Sequence, residues 1–364
     1  MQIKEKYDMK KIDISSSLYD YSVEFVAGFE SKLKEFEAVP STFVIDQNVY
    51  DLYKDRFTGI DKANIFMIDA IESKKNMDTV MDLIRFWKSR GVKKNYKVIC
   101  FGGGIAQDIT TFASNIYLRN IDWYFFPTTL LSMCDSCIGG KCGINFESFK
   151  NQLGVFYPPK KIFIDSSFLT TLPDADYING WGEILKFSLT LDESFYLDLK
   201  NIEKYIPCDE IDDYIYRGLE VKKYVIEKDE FESDLRRVLN YGHTFGHALE
   251  SYTNNIIPHG KAVIWGIDVV NYIAYKEGLI SKDIYIDVKA LIKEAFITEE
   301  IVVKEPQKLF DIIKFDKKVH DNTIYLAVLD KLSHLIVYPK TIDAALGKTF
   351  EDYLSETHSF YEDK

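Results

Sequence analysis

The chain has 364 residues, 46% of them hydrophobic and 15% aromatic, with 57 acidic against 45 basic side chains and a formal charge of −12. That length favours two domains over one, and that apolar content excludes a disordered chain. The acidic balance excludes duplex nucleic acid as a partner, because phosphate binding is driven by basic surface; a small anion bound by a local basic cluster stays open.

In chain order, the opening MQIKEKYDMKKIDISSS has no apolar core of a secretory signal. No apolar run approaches the ~18 residues of a membrane span. The short β-rich runs TFVID (42–46), NIFMI (64–68), KVICF (97–101), DWYFF (122–126) and KIFID (161–165) are nearly continuously apolar, as strands covered on both faces are. Between the second and third, MDTVMDLIRFWKSRG (77–91) places Val80, Leu83, Ile84 and Trp87 at i, i+3, i+4 and i+7. That predicts an amphipathic helix ending at a glycine cap. Alternation of strand and helix predicts a parallel α/β sheet.

VICFGGGIAQDITTF sets Gly102, Gly103 and Gly104 between a strand and a helix. Backbone N–H groups there can approach a diphosphate, although the run is not G-x-G-x-x-G and a plain tight turn explains it equally well. CDSCIGGKC (134–142) then gathers three of the five cysteines as C-x2-C-x4-C, which poses a choice between a metal site and a glycine loop that uses cysteine. Five is an odd number, thinly used, and fits a reducing, cytoplasmic setting.

Pro158 and Pro159 in FYPPKKIFID break any helix and mark the expected boundary, with an α/β nucleotide-binding, Rossmann-like domain over 1–166 and a mostly α-helical domain over 167–364. Helical patterns fill 174–204, 209–228, 236–253, 261–278 and 285–296, and IYLAVL with HLIVY reads as a late hairpin. LNYGHTFGHALE places His243 and His247 four apart on one helix face, a spacing suited to zinc. Thr244 stands where a metalloprotease has its general base, and a pair of core histidines is the plainer reading. His259 in IPHGKAV and Glu183 with Lys186 in NGWGEILKF enlarge the group. Lys141, Lys150 with Asn151, Lys222, Arg236 and Asn240 recur beside glycines and amides; each alone reads as solvated surface, together as a pocket for a doubly anionic substrate.

GGG, PTTLLSMCDSCIGGKCGIN, FKNQLGVFYPP, GEILK, RRVLNYGHTFGHALE and HGKAV together resemble 3-dehydroquinate synthase, a family of sugar phosphate cyclases, over most of the chain. In that family serine and threonine stand at positions 137 and 142 and a small apolar residue at 134, so the loop is expected to bind cofactor and substrate, with no cluster at the cysteines. The resemblance implies NAD held by Gly103, Gly104, Asp108, Thr128 and Thr129, with Asp46, Glu72, Lys75, Thr171 and Asn179 as further contacts. It implies zinc or cobalt on Glu183, His243 and His259, which moves His247 from ligand to substrate contact. Asp135, Lys141, Lys150, Asn151, Lys186, Lys222, Arg236 and Asn240 would bind a small anionic sugar phosphate, with Lys317 or Lys318. Arg119 would reach a neighbouring subunit, making the active unit a homodimer.

The implied reaction, a step of the shikimate route to aromatic amino acids, oxidises a metal-held alcohol with NAD and eliminates phosphate, with the substrate's own phosphate as base. It then reduces the ketone again and closes a carbocycle by an internal aldol step. Gln107 replaces the usual glycine before Asp108, and Lys261 the usual glutamate after HG. Trp181 and Gly182 stand where smaller, alanine-containing versions are common, and FSLTLD departs from the usual tyrosine–glycine. Three rivals remain: a sister cyclase acting on a heptulose or hexose phosphate, a metal-dependent alcohol or glycerol dehydrogenase, and an inactive binding protein. Arg236, Asn240 and His247 match the dehydroquinate-forming pattern and favour it over the sister cyclase.

Overall fold

The computed structural model describes residues 10–147, 149–202, 208–254, 256–293, 301–314 and 322–361, which fall into two compact units. The first holds the described residues up to Pro173 together with Ile211–Lys223; the second holds Asp174–Glu210 and the described residues from Tyr224 onward. The expected cut between 166 and 167 falls short of Pro173 because the turn Ser166–Thr171 stays with the sheet. Phe168 there stacks on Phe29, ring centroids 5.1 Å apart.

The first unit runs β1 (Lys11–Ile14), β2 (Tyr21–Phe25), α1 (Glu30–Glu37), β3 (Ser41–Asp46), α2 (Gln47–Tyr53), β4 (Ile65–Ile68), α3 (Met77–Ser89), β5 (Lys97–Gly102), α4 (Gly104–Ile116), β6 (Trp123–Pro127), β7 (Lys141–Phe146), β8 (Phe149–Phe156) and β9 (Lys161–Ile164). Seven strands form one sheet in the order β1-β2-β9-β6-β5-β3-β4, parallel throughout except for β1 against β2. Val98 through Phe101 are wholly buried, which is why β5 shows no polar alternation. On α3, Val80, Leu83 and Trp87 are buried, the Asn76 side chain accepts from Thr79 N–H, and Gly91 closes the helix at φ +66°.

After β3 the chain adds β4 on one side, and β5 pairs with β3 on the other. The sheet order therefore reverses between β3 and β5, and a crevice opens beyond the carboxyl ends of strands at such a point. Asp46 and Gly102 end those two strands, and a Cβ built on Gly102 would lie 3.5 Å from that of Asp46.

Two pairings were not legible in the pattern. β1 is only four residues long; β8 is largely uncovered, while β7 buries Cys142 and Ile144 and packs against α4. Asn145 N–H on β7 donates to the Lys75 carbonyl, and Gly143 faces Gly154.

The second unit contains α5 (Asp174–Ser188), α6 (Glu193–Leu199), the ends of α7 (Cys208–Lys228), α8 (His243–Tyr252), α9 (His259–Lys276), α10 (Lys282–Leu291), α11 (Pro306–Lys314), the hairpin β10 (Thr323–Lys331) with β11 (His334–Thr341), and α12 (Ala344–Tyr361). The helical pattern that begins at 174 is divided into two helices, α5 and α6. The Ser188 and Thr190 hydroxyls donate to the carbonyls of Leu185 and Lys186, a local competition that weakens helix continuation, and Asp192 caps α6 by accepting from Phe195 N–H. Among the described residues no helix is long and apolar enough to cross a membrane.

The helix α9 is buried along most of its length, as a helix at the centre of a bundle must be. Its neighbours approach it at glycines. A Cβ on Gly182 of α5 would lie 2.7 Å from the Cα and carbonyl oxygen of Gly260, and one on Gly266 would lie 2.0 Å from the carbonyl oxygen of Gly242. Gly242 itself sits at φ +75°, a region glycine enters without penalty. Each of these residues adjoins a chemistry-bearing one: Gly182 precedes Glu183, Gly242 precedes His243 and Gly260 follows His259.

The link from α7 to α8 is organised by Asp229. Its carboxylate accepts from the N–H groups of Ser233, Asp234 and Arg236 and from the Ser233 hydroxyl, at 2.8–2.9 Å. Burial alone would raise this carboxyl, but those four bonds hold it well below the usual range.

Two outcomes follow for stability. Gly182→Ala and Gly266→Ala each force backbone against backbone and should cost about 1–3 kcal/mol of stability, read as a lower urea midpoint; an unchanged midpoint would mean the crossings have slack. Asp229→Asn should cost about 1–3 kcal/mol at neutral pH. Because the folded carboxyl is depressed, the wild-type advantage should be complete above about pH 4 and shrink as the solution becomes more acid. An advantage that grows with acidity would contradict this account.

Candidate active site

In the second unit Glu183 is fully buried, and a buried carboxylate requires compensating partners. Its Oε1 lies 3.3 Å from His243 Nε2 and 3.3 Å from His259 Nε2, while the Lys186 ammonium, one helical turn on, contacts Oε2. Burial alone would raise the Glu183 carboxyl; Lys186 and the two rings hold it well below the usual carboxylate range.

Both imidazoles are oriented from behind. His243 Nδ1 lies 3.0 Å from the Tyr241 carbonyl oxygen, and His259 Nδ1 lies 3.3 Å from Glu250 Oε2. Burial would lower His259, yet its bonds to Glu183 and Glu250 raise it to about 10; burial wins at His243, which is lowered.

Two Nε2 atoms and one carboxylate oxygen thus converge. Tetrahedral coordination at ~2.0–2.1 Å gives donor-to-donor edges of ~3.3–3.4 Å, which the two measured separations match. The donor set and its supporting contacts fit a divalent cation. His247 stands on the open side, with its side chain 44% exposed and Nε2 3.9 Å from Glu250 Oε2. A ring nitrogen of each of the three histidines lies within 4.8 Å of the others, so the geometry brings His247 to the site without separating ligand from substrate contact. Arg236 is buried on the turn Leu235–Asn240 that leads into α8 and donates to the Glu230 carbonyl. Asn240 Nδ2 donates to Glu232 Oε1 (2.9 Å).

In the first unit Asp46, Gly103 with Gly104, and Thr128 with Thr129 cluster at the carboxyl ends of β3, β5 and β6. Gly103 opens α4 with no side-chain cap, and nothing lies within 4 Å of a Cβ built on Gly104; the first N–H groups of such a helix have no partner within the helix and can bind an anion. Asp108, on the same helix, pairs with Lys75 Nζ at 3.0 Å, and that ammonium also donates to Asn151 Oδ1 at 2.7 Å. Burial pushes the Asp108 carboxyl up to about 6 against the pull of Lys75. Glu72 joins this group through Asn145, whose amide donates to Glu72 Oε1 (2.8 Å) and whose Oδ1 accepts from Asn151 N–H (2.9 Å).

Lys222 is buried and donates to Asp135 at both the side chain (2.7 Å) and the carbonyl (2.6 Å). Lys141 and Lys150 are exposed on the β7–β8 hairpin.

The remaining expected residues have local contacts of their own. Thr171 is joined to α2 through the Tyr53 hydroxyl (2.8 Å). Asn179 belongs to the second unit, where its Oδ1 accepts from Gly260 N–H. Arg119 is exposed in a run of three positive-φ residues, Leu118–Asn120, with Lys94 donating to its carbonyl at 2.5 Å. Lys317 and Lys318 lie outside the described residues.

The loop cysteines Cys134, Cys137 and Cys142 are buried thiols outside any disulfide. Cys137 Sγ lies 3.4 Å from the Met133 carbonyl oxygen, one turn back, as a helical serine hydroxyl would. Burial pushes Cys137 and Cys142 up to about 12, far from the thiolate a metal takes. Glu250, Asn145 and Asp229 were not singled out from the sequence. Glu250 alone had a visible signal, lying three residues after His247 on the same helix face.

The family model described as 3-dehydroquinate synthase N-terminal matches residues 65–179, and the one described as 3-dehydroquinate synthase C-terminal matches residues 180–319. The chain is 37% identical to the 3-dehydroquinate synthase of Dictyoglomus thermophilum over 295 residues, covering 78% of this chain and 81% of that one. It is 35% identical to that of Alkaliphilus metalliredigens over 282 residues, covering 76% and 79%. In fold it is similar to a crystal structure of 2-deoxy-scyllo-inosose synthase complexed with carbaglucose-6-phosphate, NAD+ and Co2+, with TM-score 0.84 at 20% identity over 94% of this chain and all of that one. The 2-epi-5-epi-valiolone synthase of Streptomyces hygroscopicus with NAD+ and Zn2+ bound gives 0.79 at 24% identity, covering 93% and 97%. Sequence identity over three quarters of its length and family models spanning residues 65–319 establish that the chain belongs to the 3-dehydroquinate synthase family.

Proposed function

We propose that this chain converts 3-deoxy-D-arabino-heptulosonate 7-phosphate to 3-dehydroquinate and phosphate, using NAD and one divalent metal ion, zinc or cobalt. The observation that supports it best is the convergence of Glu183 Oε1 with the Nε2 atoms of His243 and His259 at 3.3 Å. Glu183, His243 and His259 would hold the cation. Asp46, Glu72, Lys75, Gly103, Gly104, Asp108, Thr128 and Thr129 would hold NAD, with Thr171 and Asn179 as further contacts. When bound, the cation polarises substrate oxygens and NAD takes and later returns a hydride.

The remaining work falls to charge. The substrate carries a carboxylate and a phosphate, and a dry site must pair both. Arg236 offers a planar fork suited to either anion. Lys186, held against Glu183 on its helix, supplies a buried ammonium, and Lys222 a second one steadied by Asp135. Lys141, Lys150, Asn151, Asn240, His247 and Lys318 would complete the set around the sugar, and Arg119 would serve the site of a second copy in a homodimer. Among the described residues Cys100, Cys134, Cys137 and Cys142 are buried thiols outside any disulfide, which suits a cytoplasmic enzyme.

Chelation should abolish turnover, and His259→Ala should purify with its metal content lost by elemental analysis; full turnover in metal-free protein would overturn the ligand assignment. Redox balance separates this reading from a dehydrogenase. Because the ketone is reduced again before release, phosphate should accumulate far beyond the NAD supplied, with no matching NADH absorbance. Arg236→Ala should depress kcat/KM by about 2–5 kcal/mol, since substrate charge is left unpaired. NADH released in step with product, without phosphate, would refute the cyclase reading.

A further inference from the structure

Gln107 is the fourth residue of α4 and is 3% exposed. Both ends of its amide are taken by a single residue. Nε2 donates to the Ser136 carbonyl at 2.7 Å, and the Ser136 hydroxyl donates to Oε1 at 2.6 Å. Ser136 closes the π-helical turn Ser132–Ser136, and such turns recur where a side chain must be aimed. The residue so aimed is Asp135, which binds Lys222.

The other end of the turn lies close to the glycines: Thr129 and Ser132 share a hydroxyl–hydroxyl bond of 2.9 Å, and a Cβ on Gly103 would lie 3.0 Å from Thr129 Cγ2. The turn is bonded to α4 beside Asp108, by the two bonds between Gln107 and Ser136. A two-bond pair on a buried amide is geometrically exacting.

We propose that Gln107 is a positioning residue: it sets the place of Asp135, and through it Lys222, relative to the helix that carries Asp108. This rests on the proposed reading in assigning the Asp135 side to sugar phosphate and the α4 side to NAD. Loosening the tie should then impair the sugar phosphate far more than the dinucleotide.

The test uses the full chain with Gln107→Met, which keeps the bulk and loses both bonds, Ser136→Ala, which loses one, and the double variant. Hydrogen exchange of the 130–140 segment, measured without ligands, should accelerate roughly 10-fold in Gln107→Met. KM for the heptulosonate phosphate should rise roughly 10-fold with kcat little changed, while the NAD Kd by calorimetry moves less than about 2-fold. Because both variants break one contact, the double variant should be no worse than Gln107→Met. Unchanged exchange in the segment, additive effects, or kcat and NAD affinity falling together with KM would overturn the assignment. If Gln107→Met does not fold, Ser136→Ala decides it, with the same pattern expected at smaller size and unchanged exchange and KM overturning it. A wild-type chain that releases no phosphate would refute the proposed reaction, whereas the exchange measurement still decides the tie.

Discussion

A carboxylate with no exposed surface is the constraint around which the second unit is organised. Glu183 cannot be left unpaired away from water, since an uncompensated buried charge costs several kcal/mol (about 3–5 when one partner is removed). It is met by Lys186 on its own helix and by two imidazoles from two others. To bring those rings within 3.3 Å, three helix backbones must approach more closely than side chains usually allow. Glycines beside the reactive residues make that approach. The chemistry and the packing are therefore one requirement: filling the Gly182–Gly260 or Gly242–Gly266 crossing would push apart the groups that neutralise Glu183.

The first unit meets a different demand, the placement of polar groups at the open ends of a buried sheet. Reversal of strand order between β3 and β5 puts Asp46 beside the glycine turn, and α4 begins there with no side-chain cap. Beyond it, Lys75 is shared between Asp108 and Asn151, and Asn145 between Glu72 and Asn151. Residues that resemblance divides into cofactor and substrate contacts are thus bonded to one another. Lys75, at the centre of this group, is nearly enclosed.

The departures from the family pattern have different structural weight. Gln107 is absorbed into the α4 contact with Ser136. Gly182 makes the close crossing with Gly260, and Ser188 and Thr190 of FSLTLD end α5. The cysteines of the loop occupy buried, serine-like positions. Nothing in the structure explains Lys261.

The sequence by itself determined the parallel sheet, the amphipathic face of α3 and the late hairpin, because burial on one or both faces imposes a period that apolar residues must follow. It also determined the family and, through spacing, the shared helix face of His243 and His247. Tertiary structure alone decided which groups meet. Glu183 and His259 lie 76 positions apart, and no local period encodes that contact. The return of Ile211–Lys223 to the first unit carries Lys222 to Asp135, and the break at 189–192 came from two hydroxyls competing for carbonyls within a run of helical composition. Glu250, Asn145 and Gln107 act through hydrogen bonds, whose partners depend on the position and direction of single atoms. Those are set only when the helices and strands have packed.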